Sequence, residues 1–185
     1  MQGRVAEVLI VTGPPGAGKS TIADALVRTF SSPAVYLPAD AFWHFIKQGR
    51  IAPYLPEAHA QNQVVIEALA STACCFASGG YFVVVDGIVG PWFLGRFRRI
   101  VDVPLHYVVL RPDLATALAR AQGRADCSLK DAKPIVNLHK QFAELGDLEN
   151  HAIDTTTQSV AVTLEAVRAG IGSGAFRFSG QVGTR

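Results

Sequence analysis

The sequence predicts an α/β fold of three layers, a parallel sheet with helices on both faces. Three observations carry that reading. Short apolar runs rich in β-formers alternate along the chain with stretches of helical periodicity. Those runs lack polar alternation, as strands buried on both faces do. Finally, the glycine-rich segment Gly13–Ser20 joins the first such run to the first such helix, where a strand must turn sharply.

Each element follows from its residues. Glu7–Thr12 is an expected strand. Lys19–Phe30 is an expected helix, because Ile22, Leu26 and Phe30 share one stripe at i, i+4 and i+8. Ser32-Pro33 breaks the chain before a short strand, Ala34–Leu37. Ala41–Gln48 reads as a short helix capped by Asp40. Pro53 and Pro56 mark an irregular stretch, and Glu57–Ser78 is a long helix ended by Gly79-Gly80. Tyr81–Val85 and Pro104–Leu110 are two more strands, and Pro112–Gln122 is a helix after the second of them. Gly123–Ser128 is loop-like. Leu129–Leu145 is helical, with Pro134 in its first turn or at a kink. His151–Asp154 is the last expected strand and Ser159–Ala169 the last expected helix. Strands alternating with helices imply βαβ units and right-handed crossovers.

The 185 residues suit one domain, with 49% hydrophobic and 17% charged residues. That is enough apolar material for a sizeable core. We expect a domain over residues 1–170, with a small lid at about 120–142 and a glycine-rich tail, 171–185, as a loose end. A formal net charge of +2 argues against a nucleic-acid or membrane surface. The uncharged stretch from Ala68 to Val85 is long enough to suggest a membrane span. Gly79-Gly80 and the β-rich residues after it favour a buried helix, a turn and a buried strand instead. No signal-peptide pattern precedes Val8. Cys74, Cys75 and Cys127 give neither a disulfide framework nor metal-ligand spacing, so reduced, buried thiols in a cytoplasmic protein are expected.

Gly13-Pro14-Pro15-Gly16-Ala17-Gly18-Lys19-Ser20 matches G-x-x-x-x-G-K-[ST], the P-loop or Walker A pattern. Each position has a chemical reason. Glycines let backbone N–H groups approach a polyphosphate closely. The helix behind them presents its N-terminal N–H groups and the positive end of its dipole. Lys19 supplies a point charge for the β- and γ-phosphates, and Ser20 a hydroxyl for Mg²⁺. The pattern, extended by Thr21, therefore reads as a site for ATP with Mg²⁺. Chance produces these fixed positions in fewer than about one chain in a hundred of this length.

Ligands of open α/β sheets bind beyond the carboxyl ends of the strands. Asp40, just past the second strand, can take or orient an acceptor hydroxyl proton, or can simply cap a helix. Asp86, before Gly87 at the end of the third strand, has the Walker B position of a metal-supporting carboxylate, or belongs to an Asp-Gly turn. Arg120 and Arg124 can neutralise charge spread over a transferring phosphoryl group, as parts of a closing lid. Arg111 reads more readily as an ordinary helix-end arginine. Phe42, Trp43, His44, Trp92 and Phe93 either wall a pocket for a flat or apolar acceptor or pack in the core.

This set of residues resembles the small P-loop kinases, a group that includes shikimate, gluconate and adenylate kinases and chloramphenicol phosphotransferase. The likeness covers residues 5–169 and is nearest to the chloramphenicol-phosphotransferase-like and gluconate-kinase-like members. Those place an acid after the second strand and carry an Ile-Asp-Thr-Thr type ending, here Ile153-Asp154-Thr155-Thr156. The resemblance implies a five-stranded parallel sheet flanked by helices. It also implies that Asp40 acts on the acceptor and that the loop around Thr155 lies near adenine. Shikimate kinase pairs two acids near the second strand, whereas here Ala39 precedes a single Asp40, which argues against shikimate.

The expected activity is thus a phosphotransferase acting on an alcohol group of a small metabolite or antibiotic-like compound. A nucleoside or nucleotide kinase is the alternative among enzymes, and a non-catalytic ATP sensor is the alternative of another class. Asn137-Leu138-His139-Lys140 is no guanine loop, so a GTPase is excluded. No basic stripe is visible for a polynucleotide backbone.

Overall fold

The computed structural model describes residues 6–123 and 131–179. Its sheet has five strands in the order β2-β3-β1-β4-β5: β1 (Val8–Thr12), β2 (Ala34–Pro38), β3 (Phe82–Asp86), β4 (Leu105–Leu110) and β5 (Ala152–Ile153). All four strand pairings are parallel. The expected three-layer α/β fold of the P-loop type holds.

Side-chain alternation within the strands builds the layers. Val8, Ile10, Val83, Val85, Tyr107 and Val109 point to one face, together with Ile66, Leu69, Leu94 and Phe97. Leu9, Val11, Val84, Val108 and Leu110 point to the other, with Ile22, Leu26 and Val167. Every residue of β1, β3 and β4 is buried, which is why these runs carry no polar alternation. Each Leu, Ile or Phe so buried contributes roughly 1.5–3 kcal/mol relative to exposure. Helices α3 (His59–Ser78) and α4 (Pro91–Ile100) cover the first face, and α1 (Lys19–Val27) and α7 (Val160–Ser173) the second.

Several boundaries move for local reasons. Helix α1 stops at Val27, and Thr29 Oγ1 then donates to the Leu26 carbonyl at 2.8 Å. A short 3-10 turn, Pro56–Ala58, precedes α3. Helix α2 runs Ala39–His44, so Asp40 lies inside its first turn and is not its cap. Helix α5 (Leu114–Gln122) starts behind Asp113, whose carboxylate accepts from the Thr116 N–H at 2.7 Å. Helix α6 (Ala132–Gln141) starts behind Asp131 and takes Pro134 into its first turn.

Helix α4 has no counterpart among the expected elements. Gly90 precedes it, Pro91 opens it, and Arg98 and Arg99 close it, all ordinary helix-end signals. Only Leu94 and Phe97 are buried, too few to form a readable stripe, and an ion pair from Arg96 to Glu67 fastens the helix to α3.

The tail also differs from expectation over its described part. Helix α7 continues through Gly170 to Ser173, and Gly174 turns the chain at φ +76°. Residues 176–178 then lie along β4: Tyr107 N–H donates to the Phe176 carbonyl at 2.9 Å and Phe178 N–H to the Leu105 carbonyl at 2.8 Å. Phe176 and Phe178 are buried, one in each core cluster. A Cβ on Gly170 would come within 2.1 Å of the Phe176 ring. Because β5 pairs only with Val109 and Leu110, this segment covers the rest of the edge of β4.

The uncharged stretch 68–85 is the second half of α3, a turn and β3, as expected. Among the described residues no helix is long and apolar enough to cross a membrane. The thiols depart from expectation: Cys74 is half-buried and Cys75 is exposed on α3, both unbridged, while Cys127 lies outside the described residues.

Candidate active site

The P-loop wraps the carboxyl end of β1. Gly13 and Gly16 have φ of +140° and +80°, and a Cβ on either would meet a backbone carbonyl at 2.1 Å, that of Leu110 for Gly13 and that of Ala117 for Gly16. These two glycines let the loop nest against β4 and α5. Gly18 differs: φ is +90°, yet the space around its missing Cβ is open. It turns the chain into α1 with no side chain on that side. No side chain caps α1 and no acid lies in its first turn, so its first N–H groups are available to an anion. Pro14, Pro15 and Ala17 are buried. Lys19 Nζ donates to the Pro14 carbonyl at 3.0 Å, which holds the ammonium over its own loop. Ser20 is half-buried and Thr21 exposed.

Asp86 ends β3, one strand over from the P-loop, beside Val11 of β1 and Pro38 of β2. It is 5% exposed. Its Oδ2 accepts from the Tyr36 hydroxyl at 2.8 Å, and its Oδ1 is buried with no partner among the described residues. Ser20 lies near the same Tyr36 hydroxyl. Burial, then the Asp86 carboxylate, push the Tyr36 phenol well above its ordinary range, so it stays a proton donor. An orphaned buried carboxylate oxygen with a serine hydroxyl nearby fits a hard, oxygen-seeking cation such as Mg²⁺. Among the described residues no group of three or more His, Cys, Asp or Glu side chains can hold a metal by itself. A cation here therefore needs further oxygens, which a polyphosphate has.

Asp40 is exposed, two residues beyond Pro38, the register partner of Asp86. Its helix is pressed on the end of β3, because the Ala39 Cβ lies 2.4 Å from where a Cβ of Gly87 would be. The loop after Asp86 is held firmly. Val89 N–H donates to Thr12 Oγ1 at 3.0 Å, and the Tyr107 hydroxyl donates to the Val89 carbonyl at 3.0 Å.

The aromatic group near Asp40 divides. Trp43 is core: it is 6% exposed and its indole donates to Asn62 Oδ1 at 2.8 Å. Asn62 in turn donates to the Pro53 carbonyl, which pins the loop after α2. Phe42 is half-buried beside Phe45, which is 67% exposed. Trp92 stands with Phe93 and Phe142, and His44 is exposed. Trp43 is thus no pocket wall, whereas Phe42, Phe45 and Trp92 face solvent in part.

Arg111 is fully engaged with Glu149 at 2.8 Å and with the carbonyls of Phe142 and Ala143. Arg120 departs from its expected place over a transferring phosphoryl group. Its guanidinium donates to the carbonyls of Thr155 and Thr156 at 3.1 and 3.2 Å. Asp154 closes the same loop by accepting from the Thr156 N–H and hydroxyl. Thr155 Oγ1 is buried there without a partner among the described residues. Since Gly16 abuts α5 and Arg120 ends it, one helix spaces the P-loop from the Thr155 loop. Arg124 lies outside the described residues; the 131–142 part of the expected lid is α6 and the turn after it, packed on α5.

The geometry of strand, glycine loop and helix agrees with a family match over residues 8–145, described as an AAA domain. The chain belongs to that family. It is also 28% identical over 138 residues to an adenylate kinase of Orientia tsutsugamushi (strain Ikeda), which covers 68% of this chain and 60% of that one. The chain thus spans about 60% of the length of the curated relatives it matches. Among solved structures it is similar to the Mycobacterium tuberculosis APS kinase, with a TM-score of 0.68, 16% identity and coverage of 90% of this chain and 97% of the other. A gluconokinase from Sinorhizobium meliloti 1021 matches at a TM-score of 0.63 and 18% identity, covering 93% and 95%. The expected likeness to the small P-loop kinases holds.

Sequence reasoning missed Tyr36. A tyrosine in a short strand reads as a β-former, and only the pairing of β2 with β3 brings it to Asp86.

Proposed function

We propose that this protein transfers the γ-phosphoryl group of ATP to a hydroxyl of a small molecule. One observation carries the reading: the anion-ready P-loop, the orphaned oxygen of Asp86 and the exposed carboxylate of Asp40 stand in sequence along one end of the sheet. Gly13–Thr21 binds the phosphates, with Lys19 on the β- and γ-groups. Ser20 and Asp86 would hold Mg²⁺, which when bound supplies positive charge for the phosphate oxygens. Asp40 orients the acceptor hydroxyl and takes its proton as the new O–P bond forms. The bond from the γ-phosphorus to its bridging oxygen breaks, and ADP leaves. Arg124 neutralises the transferring group, and Arg120 shapes the Thr155 loop against the adenine. Phe42, Phe45 and Trp92 offer apolar surface to an acceptor. We place this activity in the cytoplasm, in keeping with the unbridged Cys74 and Cys75.

A second acceptor class has support of its own. The adenylate kinase relatives favour a nucleotide as acceptor for the same chemistry. Against it, the Arg96 guanidinium is already paired with Glu67, and a phosphate-bearing acceptor needs arginines to spare.

The test is an ATP-consumption screen with Mg²⁺ against sugars, sugar acids, nucleosides, nucleotides and hydroxyl-bearing antibiotics. Lys19→Ala is the control and should lose roughly 10²–10³-fold in turnover, as removal of a charge-stabilising donor does. A Lys19-dependent product names the acceptor class. Tight ATP binding with no product on the whole panel would replace the kinase reading with a non-catalytic ATP sensor.

A further inference from the structure

Among the described residues, the Tyr36 hydroxyl is the one side-chain hydrogen-bond partner of Asp86, and it leaves the other carboxylate oxygen bare. The strand register explains the reach. Tyr36 faces Val84 across the β2–β3 pair, and Asp86 lies two residues further on the same face. That is the face covered by α1, where Tyr36 packs against the core cluster of Leu9, Val84 and Leu26. A tyrosine leaning along its strand spans this diagonal. Its hydroxyl then meets Asp86 Oδ2 at 2.8 Å.

We propose that Tyr36 is a positioning residue for the metal: it clamps Asp86 Oδ2 so that Oδ1 alone faces the cation or the cation's water. A free carboxylate can rotate and offer either or both oxygens. A clamped one presents a single oxygen in one place, which suits an octahedral ion with fixed ligand directions. Partners of this outer kind commonly change metal affinity by about 10- to 100-fold.

This proposal rests on the Mg·ATP reading of the site, and the experiment separates the two. Calorimetry measures ATP affinity with Mg²⁺ and with EDTA for the wild type, Tyr36→Phe and Asp86→Asn, and thermal melts of the three metal-free proteins are recorded alongside. The ratio of the two affinities is the metal coupling. In Tyr36→Phe it should fall about 10-fold or more, with ATP affinity in EDTA unchanged and the midpoint of a Mg²⁺ titration raised by the same factor. Asp86→Asn should bring the ratio close to one. If Tyr36→Phe lowers the melting temperature yet keeps the wild-type coupling ratio, Tyr36 only satisfies a buried carboxylate and the proposal fails. If the wild type itself shows no coupling, the Mg·ATP reading falls first. Tyr36→Met is a second hydroxyl-free variant should the first not fold.

Discussion

At the scale of single residues, the proposed site separates groups that would bind from one that would react. Asp40 is exposed in the first turn of its helix and does not cap it. Asp40→Asn keeps the shape and removes the proton acceptor. It should lower turnover about 10²–10⁴-fold while leaving ATP affinity and melting temperature near wild type. Steady-state kinetics beside calorimetry would show it, and wild-type turnover in this variant would strip Asp40 of its role. Asp86 is the opposite case, buried and already holding Tyr36, so changes there mix fold with function. The glycines divide in the same way. Gly13 and Gly16 are required by neighbouring carbonyls of the protein itself, and Gly18 by its turn and the open space beside it.

At the scale of elements, the connection from β4 to β5 depends on an ion pair. Arg111 follows β4 and grips Glu149 in the 3-10 turn Gly146–His151, just before β5. Hydrogen bonds from Arg111, then from the Leu145 N–H, hold the Glu149 carboxyl down at about 2. A carboxyl lowered on folding stabilises the protein above its ordinary titration range near 4.5, and that contribution is lost as pH falls toward about 2. Wild type should therefore be more stable than Glu149→Gln at pH 6. The gap should close between about pH 4.5 and about pH 2, read from urea midpoints. A gap that stays constant with pH would mean the pair is not what holds the turn. Helix α4 teaches another lesson at this scale. Its two buried residues sit in a sequence with three arginines, so periodicity was silent where Gly90-Pro91 spoke.

At the scale of the molecule, the C-terminal segment completes both halves of the core. Phe176 belongs to the α1–α7 side and Phe178 to the α3–α4 side, and the backbone between them pairs with β4. Phe176→Ala removes a ring that fills the space left by Gly170. We expect a loss of roughly 3–5 kcal/mol of stability, measured by chemical denaturation, with the ATP site intact in the folded fraction. A loss below about 1 kcal/mol would show the segment to be the loose end that its glycines suggest.

Much of this was legible in the chain itself. Val8-Leu9-Ile10-Val11 before Gly13–Ser20 determined a buried strand, a phosphate loop and a helix, because backbone geometry and charge there are local properties. The alternation of the remaining runs determined a parallel sheet in three layers for the same reason. What only the tertiary structure decided depends on contacts between distant residues. Pairing of β2 with β3 brought Tyr36 to Asp86, fifty positions apart in the chain. Arg120 went to the Thr155 and Thr156 carbonyls, thirty-five positions or so away, because unmatched backbone acceptors lie there. The glycine-rich end docked because an edge of β4 and two aromatic-sized spaces were left uncovered, and a buried phenylalanine outweighs the flexibility of the glycines around it. Sequence periodicity reports which face of an element is apolar. It does not report which neighbour that face will meet.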